Sequence, residues 1–422
     1  MPQERPQQVS RAIEAVWRIE AARLIAGLAR YVHDVGLAEE LAQDALVAAL
    51  EQWPGSGIPD NPGAWLMAVA KRRAVDGFRR NEVRDRKYAE VGRGLESEMV
   101  AGPEDGPAPD EISDDVLRLV FTACHPVLTT EARVALTLRV IGGLSTAEIA
   151  RAFLVPETTV AQRIVRAKKA LARAQVPFEV PVGDELGPRL ASVLEVVYLI
   201  FNEGYSATAG DDWMRPALCE DALRLGRILA ALAPDEPEVH GLVALMEIQA
   251  SRTRARTGPG GEPILLLEQD RSRWDHLLIR RGLDALARAV GLGNPAGPYA
   301  LQAAIAACHA RALTPEDTDW AGIAALYGQL AAVTGSPVVE LNRAVALSMA
   351  FGPAAGLELV DALAEEPALR SYHLLPSVRG DLLAKLGRLP EAREEFLRAA
   401  EMTGNERERA LLRGRAQECG VG

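Results

Sequence analysis

Thr158, Gln162, Arg163, Arg166 and Lys169 follow one another along one side of the stretch TTVAQRIVRAKKAL, and none of them is an acid. Hydroxyl and amide side chains can hydrogen-bond base edges, and guanidinium and ammonium groups can hold phosphates. The set is therefore chemically suited to reading a nucleic-acid duplex. A reader of that kind needs a rigid helix to carry it. The same stretch supplies one, because Val160, Ile164, Ala167 and Leu171 recur at i, i+4, i+7 and i+11 as an apolar stripe on the other side. A shorter helix precedes it, opened by Ser145 with Glu148 three residues on, the spacing of a capping box. Leu144, Ile149 and Phe153 can pack inward from this helix, and Val155-Pro156 ends it, since proline suits a helix start and not a helix interior. Leu144 to Leu171 thus reads as a helix-turn-helix with Gln162 and its neighbours on the recognition face. The same residues also allow a plainer reading, a surface hairpin with a solvated basic face.

A second set lies nearer the N-terminus. Asn61-Pro62 has the form of a helix start, a cap followed by a first-turn proline. The helix it opens, GAWLMAVAKRRAVDGFRR, begins apolar and aromatic at Trp65 and ends cationic at Lys71, Arg72, Arg73, Arg79 and Arg80, with Arg84, Arg86 and Lys87 close behind. A glycine- and proline-rich loop, Pro54 to Pro62, leads into it. An aromatic ring beside a loop and a basic helix suits single-stranded or opened DNA, where bases stack on rings and cations hold the backbone. Trp65 reads equally as a core tryptophan. Upstream, one helical pattern covers Ile13 to Tyr31 and ends near His33-Asp34-Val35-Gly36. The next, Leu37 to Trp53, places Leu46, Leu50 and Trp53 on one face and stops at Pro54. Glu40, Gln43, Asp44, Val47 and Glu51 share another, mostly acidic face, which is either solvated or a dock for a basic partner helix.

Nothing of comparable clarity points to covalent chemistry. Cys124, Cys219, Cys308 and Cys419 are scattered, and the Cys124-His125 pair lacks partners at zinc-ligand spacing. His240, His276, His309 and His373 are dispersed. Glu268, Asp270 and Asp275 could bind a cation, although a turn salt-bridged to Arg271 and Arg273 is the favoured reading. No metal, cofactor or enzyme site is expected. The 58 acids against 47 bases give a net charge of −11, so a basic surface for DNA must be local. At 422 residues the chain suggests two or three domains. Aromatic residues make up only 5% and no run of alternating β-branched residues stands out, which favours an all-α class. The N-terminal MPQERPQQVS lacks the form of a signal peptide, and no apolar run approaches the roughly 20 residues that span a bilayer. A cytoplasmic protein without a membrane partner is expected.

Between the two sets, Glu90 to Asp115 holds nine acids against Arg93 alone and reads as a flexible acidic linker. Asp115 to Leu138 resumes a helical pattern that leads through Gly142-Gly143 into the helix-turn-helix. With AEELAQDAL (Ala38 to Leu46) and NPGAWLMAVAKRRAVDGFRR (Asn61 to Arg80) before the linker and GLSTAEIARAFLVPETTVAQRIVRAKKAL after it, residues from about Ala12 to Arg173 resemble the extracytoplasmic-function group of bacterial sigma factors. The two units resemble that family's regions 2 and 4. The resemblance implies binding to core RNA polymerase, at the β′ clamp helices and the β flap, and to promoter DNA. Position by position, it implies that Glu40, Leu41, Gln43 and Asp44 dock on the clamp helices. The loop Pro54 to Pro62 would take a flipped base of the −10 element, with Asn61, Trp65, Lys71 and Arg72 beside it. Gln162, Ala161 and Val165 would read the −35 element, flanked by Thr158, Thr159, Arg163, Arg166 and Lys169, with Arg163 and Arg166 on phosphates. The family often carries a longer polar residue where Ala161 stands, so base reading there rests on Gln162 and apolar contact.

The chain continues well past the end of that resemblance at Arg173. Helical patterns recur through ASVLEVVYLIFNEGYSA, Asp221 to Leu232 and Glu238 to Ser251. RTGPGGEP (Arg256 to Pro263) is a loop before ILLLEQDRSRWDHLLIRRGLDALARAV. Ser377 to Gly404 fits a tetratricopeptide repeat, with Gly380, Leu383, Gly387, Ala392, Phe396 and Ala399 in its small and apolar places. Leu341 to Leu363 is a weaker copy. This plan, with FNEGYSA (Phe201 to Ala207) and EQDRSRWD (Glu268 to Asp275), resembles long sigma factors with a tetratricopeptide-like extension. The expected division is 10–84 and 113–175 for regions 2 and 4, 85–112 for the linker, 176–336 for a helical extension and 337–418 for repeats. The extension is expected to regulate the sigma activity and to offer a concave surface for a regulatory protein. Two other readings remain open: a stand-alone helix-turn-helix regulator with a repeat sensor, and a repeat scaffold.

Overall fold

The computed structural model describes residues 4–81, 109–153, 155–205, 214–258, 262–293 and 297–420. Most of the expected acidic linker, the cations Arg84, Arg86 and Lys87, and the last two residues of FNEGYSA lie outside them. For Arg79 and Arg80 only the backbone is described. Every long element among the described residues is a helix, and the one pairing of strand type is an isolated bridge between Thr257 and Pro263. No described helix is long and apolar enough to cross a membrane. The chain divides into two compact units, Met1–Leu199 and Ile200–Gly422.

In the first unit, α1 (Glu4–Val32), α2 (Val35–Ser56) and α3 (Pro62–Asn81) pack on one another. Ile13, Trp17, Ala21, Leu24, Ile25 and Leu28 of α1 are buried with Ala38, Ala42, Ala45, Ala49 and Trp53 of α2 and Leu66, Ala70 and Ala74 of α3. Alanine dominates the α2 side, so the helices approach closely, and each fully buried Ile, Leu or Trp contributes about 1.5–3 kcal/mol. His33 takes a left-handed φ of 52° at the α1–α2 corner, and the Asp34 side chain accepts the Leu37 amide to start α2. The α2 helix does not stop at Pro54 but runs one more turn, to Ser56, where Gly57 at φ 86° ends it. A proline so close to the end disturbs only the last turn.

Four further helices belong to this unit: α4 (Pro109–Ala123), α5 (Thr130–Val140), α6 (Thr146–Phe153) and α7 (Glu157–Arg173). The single pattern expected from Asp115 to Leu138 is thus two helices. Pro126 disfavours helical backbone at His125, and the Thr129 hydroxyl accepts the Ala132 amide to start the second. α1 packs against α4 as well as α2. The turn before α6 lies close to α1: Gly143, at φ 70°, would bring a Cβ within 3.4 Å of the Arg18 Cα. α8 (Leu186–Tyr205) gives its first part to this unit.

The second unit is a succession of helices in which neighbours along the chain pack together. They are α9 (Pro216–Leu232), α10 (Pro237–Ala250), α11 (His276–Gly291), α12 (Pro298–Arg311), α13 (Trp320–Thr334), α14 (Pro337–Phe351), α15 (Pro353–Leu363), α16 (Leu374–Lys385), α17 (Leu389–Met402) and α18 (Glu406–Glu418). The repeat-like segment Ser377 to Gly404 is the α16–α17 pair. Leu383, Ala392, Phe396 and Ala399 lie in its core, and Gly387 turns the chain at φ 76°. Its weaker copy is the α14–α15 pair.

Short 3-10 turns carry EQDRSRWD between α10 and α11. Here the expected salt-bridged turn is not what forms. Asp270 accepts from the Ser272 amide and hydroxyl, and Asp275 accepts from the Leu277 and Leu278 amides to cap α11. Arg271 instead reaches the carbonyls of His309 and Ala312. Asp270 and Asp275 are thus engaged in closing their own turns.

Candidate nucleic-acid interface

The Ser145 hydroxyl accepts the Glu148 amide at 3.1 Å, and the Glu148 carboxylate accepts the Ser145 amide at 2.7 Å, so α6 opens on a reciprocal capping box. Glu148 also takes Arg18 of α1 at 2.8 Å. In α7 the stripe Val160, Ile164, Ala167 and Leu171 is buried. Burying that stripe decides which residues the helix turns outward. Thr158, Ala161, Gln162, Val165, Arg166 and Lys169 are exposed, while Thr159 and Arg163 are half-buried. Among the described residues no carboxylate lies within ion-pair reach of Arg166 or Lys169, which leaves both charges available to phosphates.

Lys168, on the same helix, does the opposite. It turns inward to Glu39 of α2, whose other oxygen accepts Arg139 of α5 at 2.8 Å. The Glu39 side chain is only 5% exposed. Glu39 is absent from the functional residues expected from the sequence, which lie on the acidic face that begins one position along, at Glu40. The signal was present: Glu39 stands four residues after Val35 and three before Ala42, both buried, so it belongs to the inward stripe of α2. A carboxylate there must find cations. Arg30 with Asp115, at 3.5 Å, is a second bridge from α1 to α4.

The other predicted residues sit on α2 and α3. Asn61 caps α3, accepting the Ala64 amide at 3.0 Å. Trp65 is half-buried and meets Trp53 edge-on at 5.2 Å, so its ring is anchored at one edge and open elsewhere. Lys71 lies over the Tyr31 ring at 4.9 Å, and Arg72 is exposed. On α2, Glu40, Asp44, Val47 and Glu51 are exposed and Gln43 is half-buried. Leu41 is buried within the unit, at 7% exposure. Asp44 pairs with Arg73 of α3 at 3.3 Å, which holds one edge of the acidic face in place. The three predicted sets therefore lie on three different helices. Among the described residues no group of three or more His, Cys, Asp or Glu could hold a metal ion.

Burial also sorts the titratable groups. Burial pushes the Cys124 thiol up to about 11, so it stays a neutral core residue. The segment that follows the helix-turn-helix is tied to the same helices. Arg133 of α5 donates to the Ser192 hydroxyl and to Glu195 of α8, Ser192 donates to the Cys124 carbonyl at 2.6 Å, and Arg189 donates to the Phe121 carbonyl at 2.9 Å.

Comparison with known proteins finds three family matches along the chain. Residues 19–84 match the family described as Sigma-70 region 2, residues 118–171 match Sigma-70, region 4, and residues 189–290 match a family of unknown function, DUF6596. An uncharacterized protein of Rhizobium meliloti (strain 1021) is 44% identical over 392 residues, 92% of this chain and 90% of that one. The ECF RNA polymerase sigma factor SigC of Mycobacterium tuberculosis (strain CDC 1551 / Oshkosh) is 30% identical over 156 residues, which are 37% of this chain and 75% of SigC. The probable ECF sigma factor SigI of the same strain is 27% identical over 168 residues, 40% of this chain and 57% of that protein. With regions 2 and 4 in order and a further helical region after them, the chain belongs to the extracytoplasmic-function sigma factors of RNA polymerase.

Proposed function

We propose that this sigma factor reads the −35 element with the outward face of α7, the −10 element at the start of α3, and core polymerase with the acidic face of α2. The carrying observation is the sorting of charge on α7: Arg166 and Lys169 face outward without acidic partners while Lys168 is turned in and neutralised. Gln162 and Ala161 stand between the outward cations at the places for base edges, with the Val165 side chain for apolar contact. Asn61 holds the first turn of α3 while Trp65, Lys71 and Arg72 face the flipped base and its backbone. Glu40, Gln43 and Asp44 supply the polymerase contact, and Leu41 supports it from inside. The protein carries out no covalent chemistry of its own; it positions the polymerase and helps open the duplex.

The C-terminal extension regulates this activity, with a partner protein on its repeat-like helices. The contacts of Arg133 on α5 with Ser192 and Glu195 of α8, and of Arg189 on α8 with the Phe121 carbonyl of α4, support that reading, since the extension begins by fastening itself to α4 and to α5, which packs against α7. Run-off transcription with purified core polymerase and promoter fragments tests the whole reading. Specific transcripts from the full chain, lost in the Arg166→Ala, Lys169→Ala double variant, are expected. Promoter binding that needs no polymerase would make the protein a stand-alone regulator instead. An Arg189→Ala variant with unchanged output and unchanged polymerase affinity would remove the regulatory part alone.

A further inference from the structure

The second unit holds a group of polar side chains that promoter recognition does not use. Arg252 follows α10, Gln269, Arg271 and Trp274 lie in the turns before α11, and His309 is near the end of α12. The guanidinium carbons of Arg252 and Arg271 stand 5.9 Å and 5.0 Å from the centre of the same Trp274 ring. Arg252 donates to the Tyr205 hydroxyl at 2.6 Å. Arg271 donates to the carbonyls of His309 and Ala312, at 2.9 Å and 2.6 Å, and to the Thr318 hydroxyl at 3.2 Å.

Among the described residues neither arginine forms an ion pair. Arg252 acts on Arg271 as a like charge, and the acids Glu316 and Asp317 act on Arg271 only from beyond contact. His309 adds no charge: burial first, then the two guanidinium groups, hold it down at about 4. Partnerless buried polar atoms gather in the same place. They are Nε of Arg252, Nε of Arg271, the indole nitrogen of Trp274, Oε1 of Gln269 and Nδ1 of His309, five of the eleven found among the described residues. Trp274, Gln269 and His309 are themselves 4%, 6% and 9% exposed.

Leaving buried donors unpaired is destabilising, and crowding two cations together adds to that. Fastening loops does not account for the arrangement. It explains Arg271, which reaches two carbonyls, but Arg252 reaches none. Ala255, Ile279, Leu266, Leu283 and Ala310 pack around Trp274, so the surroundings are apolar and charge interactions there are strong. We propose that Arg252, Arg271 and Trp274 form a binding site for a small oxyanion, a carboxylate or a phosphate. Such an anion offers acceptors to the three orphaned N–H groups and neutralises both cations at once. The site stands independently of whether the extension regulates transcription.

Titration calorimetry of the full chain with inorganic phosphate and, separately, with citrate tests it, against sodium chloride at equal ionic strength. Binding of at least one oxyanion is expected in the wild type and in Arg280→Gln, a change on the exposed side of α11. Affinity falls about tenfold or more in Arg252→Gln, the loss of one charge-assisted contact. Trp274→Phe, which keeps the ring and removes the donor, weakens it by a smaller factor and covers the case in which Arg252→Gln does not fold. Phosphate alone or citrate alone binding assigns the class. Heats no larger than the chloride control, or affinities in folded Arg252→Gln and Trp274→Phe equal to the wild type, overturn the site.

Discussion

Along α7 a single turn separates Lys168, which is neutralised, from residues that are not. That contrast makes separable predictions for side chains of similar polarity. Arg166→Ala should weaken DNA binding about equally on all sequences and lower the slope of log K against log salt by roughly one. Gln162→Ala should leave the salt slope unchanged and relax preference at one base pair, by about 1–3 kcal/mol if the amide makes a bidentate contact. Binding titrations of holoenzyme on promoter fragments over a salt series distinguish the two, and equal salt slopes for all three proteins would remove Arg166 from the phosphate contacts. The recognition face was legible because a buried stripe at helical spacing fixes the opposite side. Leu41 and Glu39 were not: the family resemblance set Leu41 on the docking side, and Glu39 lies outside the acidic face. Its spacing puts it on the inward side of α2, but its partners Arg139 and Lys168 come from distant parts of the chain.

Elements were legible to the extent that local chemistry starts and stops them. Ser145 with Glu148, and Pro156 before α7, gave their boundaries from the sequence. The break at His125-Pro126 did not stand out within an otherwise continuous apolar pattern. What joins the elements is less local, and Glu39 is the plainest case. Glu39→Gln leaves Arg139 and Lys168 facing a neutral amide, and because those cations are 18% and 15% exposed the cost should be about 2–3 kcal/mol. Glu40→Gln, on the exposed face, should cost under about 0.5 kcal/mol. Hydrogen exchange of α2 and α7 amides in the full chain measures the difference, and equal protection in both variants would mean the ion pairs contribute nothing. In the second unit, a Cβ at Gly380 would meet the Phe396 ring at 3.1 Å and the Ala392 carbonyl at 3.2 Å. Gly380→Ala should therefore destabilise the α16–α17 pair, by about 1–3 kcal/mol of overpacking set against the gain in helix propensity, readable as faster exchange in those helices.

At the scale of the whole chain, a net charge of −11 is compatible with the proposed DNA recognition because the cations it calls on are few and sit on α3 and α7. The helical class and the α16–α17 repeat were legible from composition and period. The Arg252–Trp274–Arg271–His309 group was not, because its members are brought together only by the packing of α10, α11 and α12. One consequence for stability follows from that group. His309 titrates near 4 in the folded chain, because burial and then Arg252 and Arg271 disfavour its cation, against about 6.5 when unfolded. Between those values the unfolded chain binds the extra proton, so stability is full above pH 6.5 and falls as pH drops toward 4, by up to about 3 kcal/mol. Asp381 and Glu408 act lower. Burial alone would raise both, but Lys385 and Arg415 on the first and His373 and Thr403 on the second hold them below their usual range, so their contribution is lost only beneath about pH 4.5. Thermal melts of the full chain at pH 7, 6 and 5 should show the second unit losing stability over the range in which the unfolded chain's imidazole takes up its proton. His309→Gln should flatten that limb and leave the lower one in place. Parallel losses in wild type and His309→Gln over pH 7 to 5 would show that the imidazole is not held neutral by its neighbours.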